Sequence, residues 1–297
     1  MKNKVTTAVF PVAGMGTRFL PVTKSAPKEM LPIVDKPLIQ YVVEEAVAAG
    51  IDQLILVTSY SKHAVEDYFD TNFELETRLE EKGNLEMLEM VRNIVPKDVT
   101  IVYVRQLAPL GLGHAVLCAK KVVGMQPFAV LLADDIIDCG DKFCLQQMVA
   151  RYNESGASVL AVEEVPRSET DKYGVVSLAD HPSVPHQINA IVEKPQPDDA
   201  PSNLAVIRRY ILSPRIFELL EKTERGVGGE IQLTDAIAEL LKEEPVSAFE
   251  FEGTRYDCGS KTGFLEATIS YALKRDDLNG TFKRFLREKI VPEISEV

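Results

Sequence analysis

AVFPVAGMGTRFLPVTKSAPKEMLPIVDKPLIQYVVEEAVAAG, residues 8–50, carries the reading that decides the fold. A short apolar run ends in a glycine turn, Gly14-x-Gly16, and a helical pattern begins at Pro37. Pro37 suits a first helical turn. Leu38, Tyr41, Val42 and Ala46 share one helical face, and Gly50 suits the C-terminal cap. Strand, loop and helix in that order form the unit of an α/β fold.

The unit recurs. QLILVTSY (53–60), VTIVYVRQ (99–106) and FAVLLADD (128–135) are strand-length apolar runs. HAVEDYFD and GHAVLCAKKVV read as helices between them. The acidic, amphipathic stretch 73–94 reads as a helix broken at Gly83-Asn84, with an apolar stripe of Leu75, Leu79, Leu85, Leu88 and Val91 for the core or a subunit contact. Runs such as AVF, LILV, IVYV and AVLL fit strands covered on both faces. In the second half, 157–165, 173–178, 188–194, 204–212 and 246–253 read as strands. SPRIFELLEK and EIQLTDAIAELLKEE read as helices, and a helical tail begins with GFLEATISYALKRDD (263–277). The expected architecture is α/β: a mixed, mainly parallel sheet flanked by helices, plus a C-terminal helical tail.

Composition narrows the function. The chain has 297 residues, 45% apolar, and a net charge of −12. Such an acidic chain argues against a general nucleic-acid or anionic-membrane surface, but leaves room for a small anionic ligand where cations gather. No apolar run reaches a membrane span. MKNKVTTAVFPVAG lacks the apolar core and cleavage pattern of a secretory signal. Four cysteines make no disulfide framework, and their spacing fits no zinc site. A reduced, cytoplasmic protein is expected.

Ligands of such sheets sit beyond the C-terminal ends of parallel strands. The runs deliver Gly14 to Arg18, Arg105-Gln106 and Asp134-Asp135 to that edge. Gly14-x-Gly16 permits close backbone approach and exposes amide donors, which suits phosphate. A dinucleotide fingerprint would need a third glycine where Phe19 stands. A P-loop is absent, and GTRYDCGSK (253–261) has the wrong spacing. Taken alone, the turn is weak. Arg18 adds a planar fork for phosphate oxygens, and Lys28 a compact charge. Asp134 and Asp257 suit Mg²⁺ whose other positions are filled by substrate phosphates. Taken alone, each aspartate fits a turn or a helix cap equally well.

The stretch PVAGMGTRFLPVTKSAPKEMLPIVDKPLIQYVVEE resembles the sugar-nucleotide pyrophosphorylases. VRQ and LGLGHAVLCA (104–119), LLADDIID (131–138), YGVV (173–176), VEKP (192–195), APSNLAVIRRYIL (200–212), GEIQLTDAI (229–237) and YDCGSKTGF (256–264) follow in the family's order. The likeness spans nearly the whole chain. It implies a Rossmann-like nucleotidyltransferase core over 1–260, with a nucleotide half over about 1–140 and a sugar-phosphate half over about 141–260. Residues 261–297 would form the helical extension.

The resemblance also implies roles. Ala13, Gly14, Gly16 and Thr17 would lie against the nucleotide. Arg18 would bind the departing pyrophosphate part, and Lys28 phosphate near the reacting centre. Glu29 and Gln106 match positions that hold ribose or base, and Gly111 and Gly113 would line the nucleotide pocket. Asp134 and Asp257 match metal positions for Mg²⁺. Gly174, Glu193 and Lys194 match the sugar-phosphate site. The reaction expected is uridylyl transfer from UTP to glucose 1-phosphate, giving UDP-glucose and pyrophosphate. A homodimer or homotetramer is also implied.

An anionic attacking oxygen needs no strong general base, so no Ser-His-Asp or Cys-His constellation is required. His63, His114, His181 and His186 are expected in surface or helix roles, and Tyr173 in packing. The chain departs from the family where Ala133 replaces a common proline, and Asp135 leaves open which carboxylate ligates. Three other readings compete. A regulatory partner would have a degraded loop, whereas Gly16-Thr17-Arg18 is intact. A thymidylyltransferase shares the core, and one methyl on the base is a modest discriminator. A dehydrogenase is disfavoured by Phe19.

Overall fold

The computed structural model describes residues 4–179 and 184–295. The first half supplies β1 (Thr7–Pro11), β2 (Pro32–Ile33), β3 (Lys36–Pro37), β4 (Gln53–Thr58), β5 (Thr100–Arg105), β6 (Phe128–Leu131) and β7 (Asp135–Asp138). The second half supplies β8 (Ser158–Glu164), β9 (Gly174–Ala179), β10 (Gln187–Glu193), β11 (Leu204–Leu212), β12 (Val246–Glu250) and β13 (Thr254–Asp257). Among the described residues, nine of these strands form one sheet in the order β5-β4-β1-β6-β11-β8-β12-β10-β9. β5, β4, β1 and β6 run parallel, as do β8 and β12. β11 lies antiparallel to both β6 and β8 and joins the two halves. The sheet is therefore mixed, with its continuous parallel part in the first half.

Strand alternation sends side chains to two cores. From β1, Val9 packs with Ile55, Phe128 and Val130 beneath the helices Leu112–Cys118, Ile216–Leu220 and Leu233–Leu240. Ala8 and Phe10 pack on the opposite face with Leu54, Leu56 and Leu131, beneath Leu38–Ala48 and Cys144–Ser155. Both faces are covered, which is why these strands read as continuous apolar runs rather than alternating ones.

The helix Leu38–Ala48 starts directly after Pro37, and the chain turns at Gly50 with φ 86°. It buries Glu45 as well as its apolar face. Glu45 Oε2 lies 2.9 Å from Arg209 Nη2 on β11, and both side chains are sealed from solvent. Two successive arginines on a strand must point to opposite faces. Arg209 enters the core, and Arg208 faces the other way.

The acidic stretch forms two helices, Phe73–Glu81 and Leu85–Arg92, broken as expected at Gly83-Asn84. Asn72 and Asn84 cap them by accepting from Leu75 N and Met87 N. Of the expected stripe only Leu88 is buried; Leu75 and Leu85 are exposed, so the pair packs on itself more than on the core.

The tail begins with Lys261–Lys274, capped by Ser260 Oγ accepting from Gly263 N. Its inner side joins a third core of Leu31, Ile33, Leu38, Ile136 and Cys258, where Tyr271 meets Tyr41 edge to face. The four cysteines are unpaired. Among the described residues, no helix is long and apolar enough to cross a membrane.

Candidate active site

The parallel strands all present their C-terminal ends at one edge, and the loops that follow them build the site. After β1 comes the glycine turn. Gly16 has φ 68°, a conformation costly for any side chain, and a Cβ there would lie 3.2 Å from both Lys28 Cβ and Thr23 Cγ2. Thr23 Oγ1 donates to the Gly16 carbonyl at 2.8 Å and fixes the turn. Thr17, Arg18 and Phe19 follow as a single helical turn.

Asp134 follows β6 and is the centre of the charge network. Lys28 Nζ donates to its Oδ2 at 2.6 Å. Arg208 Nη1 lies 3.2 Å from Asp134 Oδ1 and 3.6 Å from Asp257 Oδ1. Burial alone would raise the pKa of Asp134, but Arg208 and Lys28 outweigh it and hold the carboxyl far below the usual carboxylate range. Asp257 ends β13, whose pairing with β7 was not anticipated from the sequence. A Cβ placed on Gly259 would sit 2.9 Å from Asp257 Oδ1, 3.0 Å from Asp134 Oδ2 and 3.4 Å from Arg18 Nη1. The bare backbone at Gly259 is what lets two carboxylates and the arginine converge.

The donor chemistry suits a magnesium ion: two carboxylates supply hard oxygens, and substrate phosphates would supply more. Among the described residues, no group of three or more His, Cys, Asp and Glu clusters as for a metal cage. Asp135, the competing carboxylate, turns away. It is fully buried, and its Oδ1 accepts from Arg255 Nε at 2.6 Å.

Two cavities flank this centre. One, of about 770 Å³, is lined by Arg18, Lys172, Tyr173, Lys194, Arg208 and Asp257 among others. The second, of about 420 Å³, is lined by Ala13, Met15, Tyr60, Arg105, Gln106 and Leu107 among others, and is the more apolar. Gln106 Nε2 donates to the Gly111 carbonyl at 3.1 Å and lies 3.0 Å from His114 Nδ1. Burial, with a smaller contribution from Arg225, lowers the pKa of His114. The neutral ring can then accept from the amide, which leaves the Gln106 oxygen for a ligand.

On the other flank, β9 and β10 set Gly174 opposite Glu193. Glu193 Oε2 accepts from Thr234 Oγ1 at 2.6 Å, and Lys194 Nζ lies 3.6 Å from Glu193 Oε1. Lys194 adopts φ 47°, unusual for a non-glycine residue, and its amide donates to the Tyr173 carbonyl at 2.8 Å. Such a backbone persists only where its surroundings hold it.

Most of the residues singled out in the sequence therefore gather on one edge. Two of them also have structural contacts of their own. Glu29 is 1% exposed, and its Oε2 accepts from Lys62 Nζ at 2.7 Å, so it braces the loop from behind. Burial pushes its pKa up, against the opposing charge of Lys62. Gly113 is buried, and a Cβ there would meet the Ile231 carbonyl at 2.7 Å, so helix packing already accounts for this glycine. Gly111, at φ 97°, has a Cβ position 2.6 Å from Glu230 Cβ. His63 lines the apolar cavity, and His186 lies beside β10. His181 falls outside the described residues. Tyr173 packs its ring 5.2 Å from the Arg255 guanidinium and also lines the larger cavity.

Sequence reasoning missed Arg208, Arg255, Lys62 and Thr234. A signal was present for the first: an Arg-Arg pair inside the otherwise apolar LAVIRRYIL demands a partner for each charge.

The whole arrangement can hold a polyphosphate between cations, with a more apolar cavity on one side and a more polar one on the other. A family model described as nucleotidyl transferase matches residues 8–273. The UTP--glucose-1-phosphate uridylyltransferase of Haemophilus influenzae is 52% identical over 287 residues, spanning 94% of this chain and 97% of that protein. A solved UTP-bound UGPase from Acinetobacter baumannii is 49% identical with a TM-score of 0.89, covering 96% of this chain and 99% of its own. A UDP-glucose pyrophosphorylase complexed with UDP-glucose is 47% identical with a TM-score of 0.83, covering 91% and 100%.

Proposed function

The chain belongs to the nucleotidyl transferase family, and from that premise we propose that it transfers the uridylyl group of UTP to glucose 1-phosphate. The products are UDP-glucose and pyrophosphate. The observation that carries this reading is the convergence of Asp134, Asp257 and Arg18 at Gly259, with Lys28 bonded to Asp134, beside two cavities of different polarity.

The nucleotide side uses residues 1–140 and the sugar-phosphate side residues 141–260. Ala13, Gly14, Gly16 and Thr17 follow the base and phosphates with bare backbone. Gln106 meets the base, with its amide oriented by Gly111 and His114. Arg18 holds the pyrophosphate that departs. Lys28 steadies charge on the α-phosphate as the bond order shifts. Across the cleft, Lys194 holds the phosphate of glucose 1-phosphate, and Glu193, fixed by Thr234, meets sugar hydroxyls above Gly174. A glucose 1-phosphate oxygen attacks the α-phosphorus in line, and the α–β bridging oxygen leaves with pyrophosphate. The nucleophile is already an anion, so positioning and charge neutralisation supply the acceleration. Asp134 and Asp257 would hold Mg²⁺, which when bound neutralises phosphate charge.

The reading places the enzyme in the cytoplasm as a homodimer or homotetramer; unpaired cysteines support the first, and a mass measured across micromolar concentrations tests the second. For the reaction, UTP labelled in the α-phosphate should deliver its label to UDP-glucose, and γ-label should appear only in pyrophosphate. Label from the γ-phosphate in a sugar product would overturn the reading.

A further inference from the structure

Arg208 is a cation at the centre of this site for which the proposed reaction assigns no work. It stands on β11 where the pairing with β8 slips: Val206 faces Val162, yet Tyr210 faces Leu160, so four steps on β11 match two on β8. The slip is even, so the alternation of the strand is kept, and it sends Arg209 to the core and Arg208 to the cleft. Arg208 Nη1 is sealed from solvent and has no hydrogen bond of good geometry, although it lies 3.2 Å from Asp134 Oδ1 and 3.6 Å from Asp257 Oδ1. A guanidinium nitrogen midway between two carboxylates, bonded well to neither, stands where a cation of higher charge would sit.

We propose that Arg208 is the resting occupant of the space between Asp134 and Asp257, and so makes divalent-cation binding depend on the nucleotide. This rests on the reading of those two carboxylates as the metal-holding pair. Without nucleotide, Arg208 reaches both carboxylates and shares Asp134 with Lys28, and a divalent cation must compete with the tethered charge already between them. Nucleotide phosphates give Arg208 an alternative partner within the same cavity, since it lines the larger cleft with Arg18 and Lys194. Arg208 then turns from carboxylate to phosphate oxygen, and the carboxylates are released. The consequence is reciprocal: nucleotide strengthens metal binding to the protein by the same factor that metal strengthens nucleotide binding. Arg208 acts here as a positioning residue, setting the order in which the site fills.

The test is Mn²⁺ binding, read by electron paramagnetic resonance on the full-length protein, with and without UTP and corrected for the metal that UTP holds in solution. Arg208→Gln and Arg208→Met remove the charge with two different shapes, so either one that folds is informative. Each should tighten Mn²⁺ binding to the nucleotide-free protein by about tenfold and shrink the strengthening that UTP brings. Arg208→Lys, which keeps a cation, should stay near the parent. Unchanged or weaker Mn²⁺ binding in both neutral variants, with UTP coupling intact, would overturn the proposal and leave uridylyl transfer standing. Mn²⁺ binding that survives Asp134→Ala at full strength would overturn it together with the metal assignment.

Discussion

Lys28 and Asp134 are 106 residues apart in the chain, yet Lys28 Nζ meets Asp134 Oδ2 at 2.6 Å. The lysine leaves the loop after β1 and the aspartate follows β6, and those two strands are hydrogen-bonded neighbours. Parallel pairing thus does the work of bringing a cation from the start of the chain to a carboxylate from its middle. Arg208 first, and this lysine with it, keep Asp134 ionised despite burial.

Removal of that lysine should therefore act on turnover. Lys28→Ala is expected to cost about 3–5 kcal/mol in kcat/KM, as other positioned phosphate cations do. The KM for glucose 1-phosphate should change far less. Steady-state kinetics decides this: a loss confined to KM would make Lys28 a binding residue only.

The histidine behind Gln106 gives a pH signature. The pKa of His114 is lowered by burial first and by Arg225 second, so the folded protein binds its proton more weakly than the unfolded chain does. Stability from this group is full above the ordinary histidine range and declines as pH falls through that range. Protonation also removes the acceptor that orients Gln106. The KM for UTP should accordingly rise as pH falls below about 6.5, the ordinary value for histidine. His114→Gln should flatten the part of that rise not due to the phosphate of UTP itself. Parallel profiles for the two proteins would contradict the assignment.

Glu45 and Arg209 form a fully buried pair, with 2.9 Å between Oε2 and Nη2. Arg209→Met strands a buried carboxylate and should destabilise the protein by about 3–5 kcal/mol. Met at both positions should cost less than at one. Chemical denaturation of the three variants measures this, and additive losses would show that the charges are not coupled.

Gly113→Ala and Gly111→Ala separate packing from binding. At Gly113 the added methyl meets a backbone carbonyl at 2.7 Å, so stability should fall by about 1–3 kcal/mol. At Gly111 the positive φ adds backbone strain, and the shifted carbonyl loses its bond to Gln106. Only Gly111→Ala should raise the KM for UTP well beyond any change in Tm.

Much of this was legible in the sequence because both faces of the sheet are covered. Strands such as β1, β5 and β6 read as apolar runs, and their C-terminal ends pointed to Gly16, Gln106 and Asp134. The break at Gly83-Asn84 was legible too, since glycine and asparagine have local backbone reasons to stop a helix. The strand β13 was not, because Thr-Arg-Tyr-Asp carries no apolar period; it exists through pairing with β7. Nor was the burial of Glu29, whose partner Lys62 lies in a different loop. A family motif says which residues recur together, not which of them face the ligand. The role of Arg255 depends on a distant aspartate and leaves no local trace, whereas the Arg-Arg pair in LAVIRRYIL marked Arg208 without naming its partners.

The most direct test of uridylyl transfer is pyrophosphate release with Mg²⁺ and glucose 1-phosphate, measured for UTP, dTTP, ATP, CTP and GTP in turn. The account predicts release with UTP above the rest, lost on chelation of the metal and in Asp134→Ala. Release led by dTTP, or none with any nucleotide while UTP still binds, would contradict it.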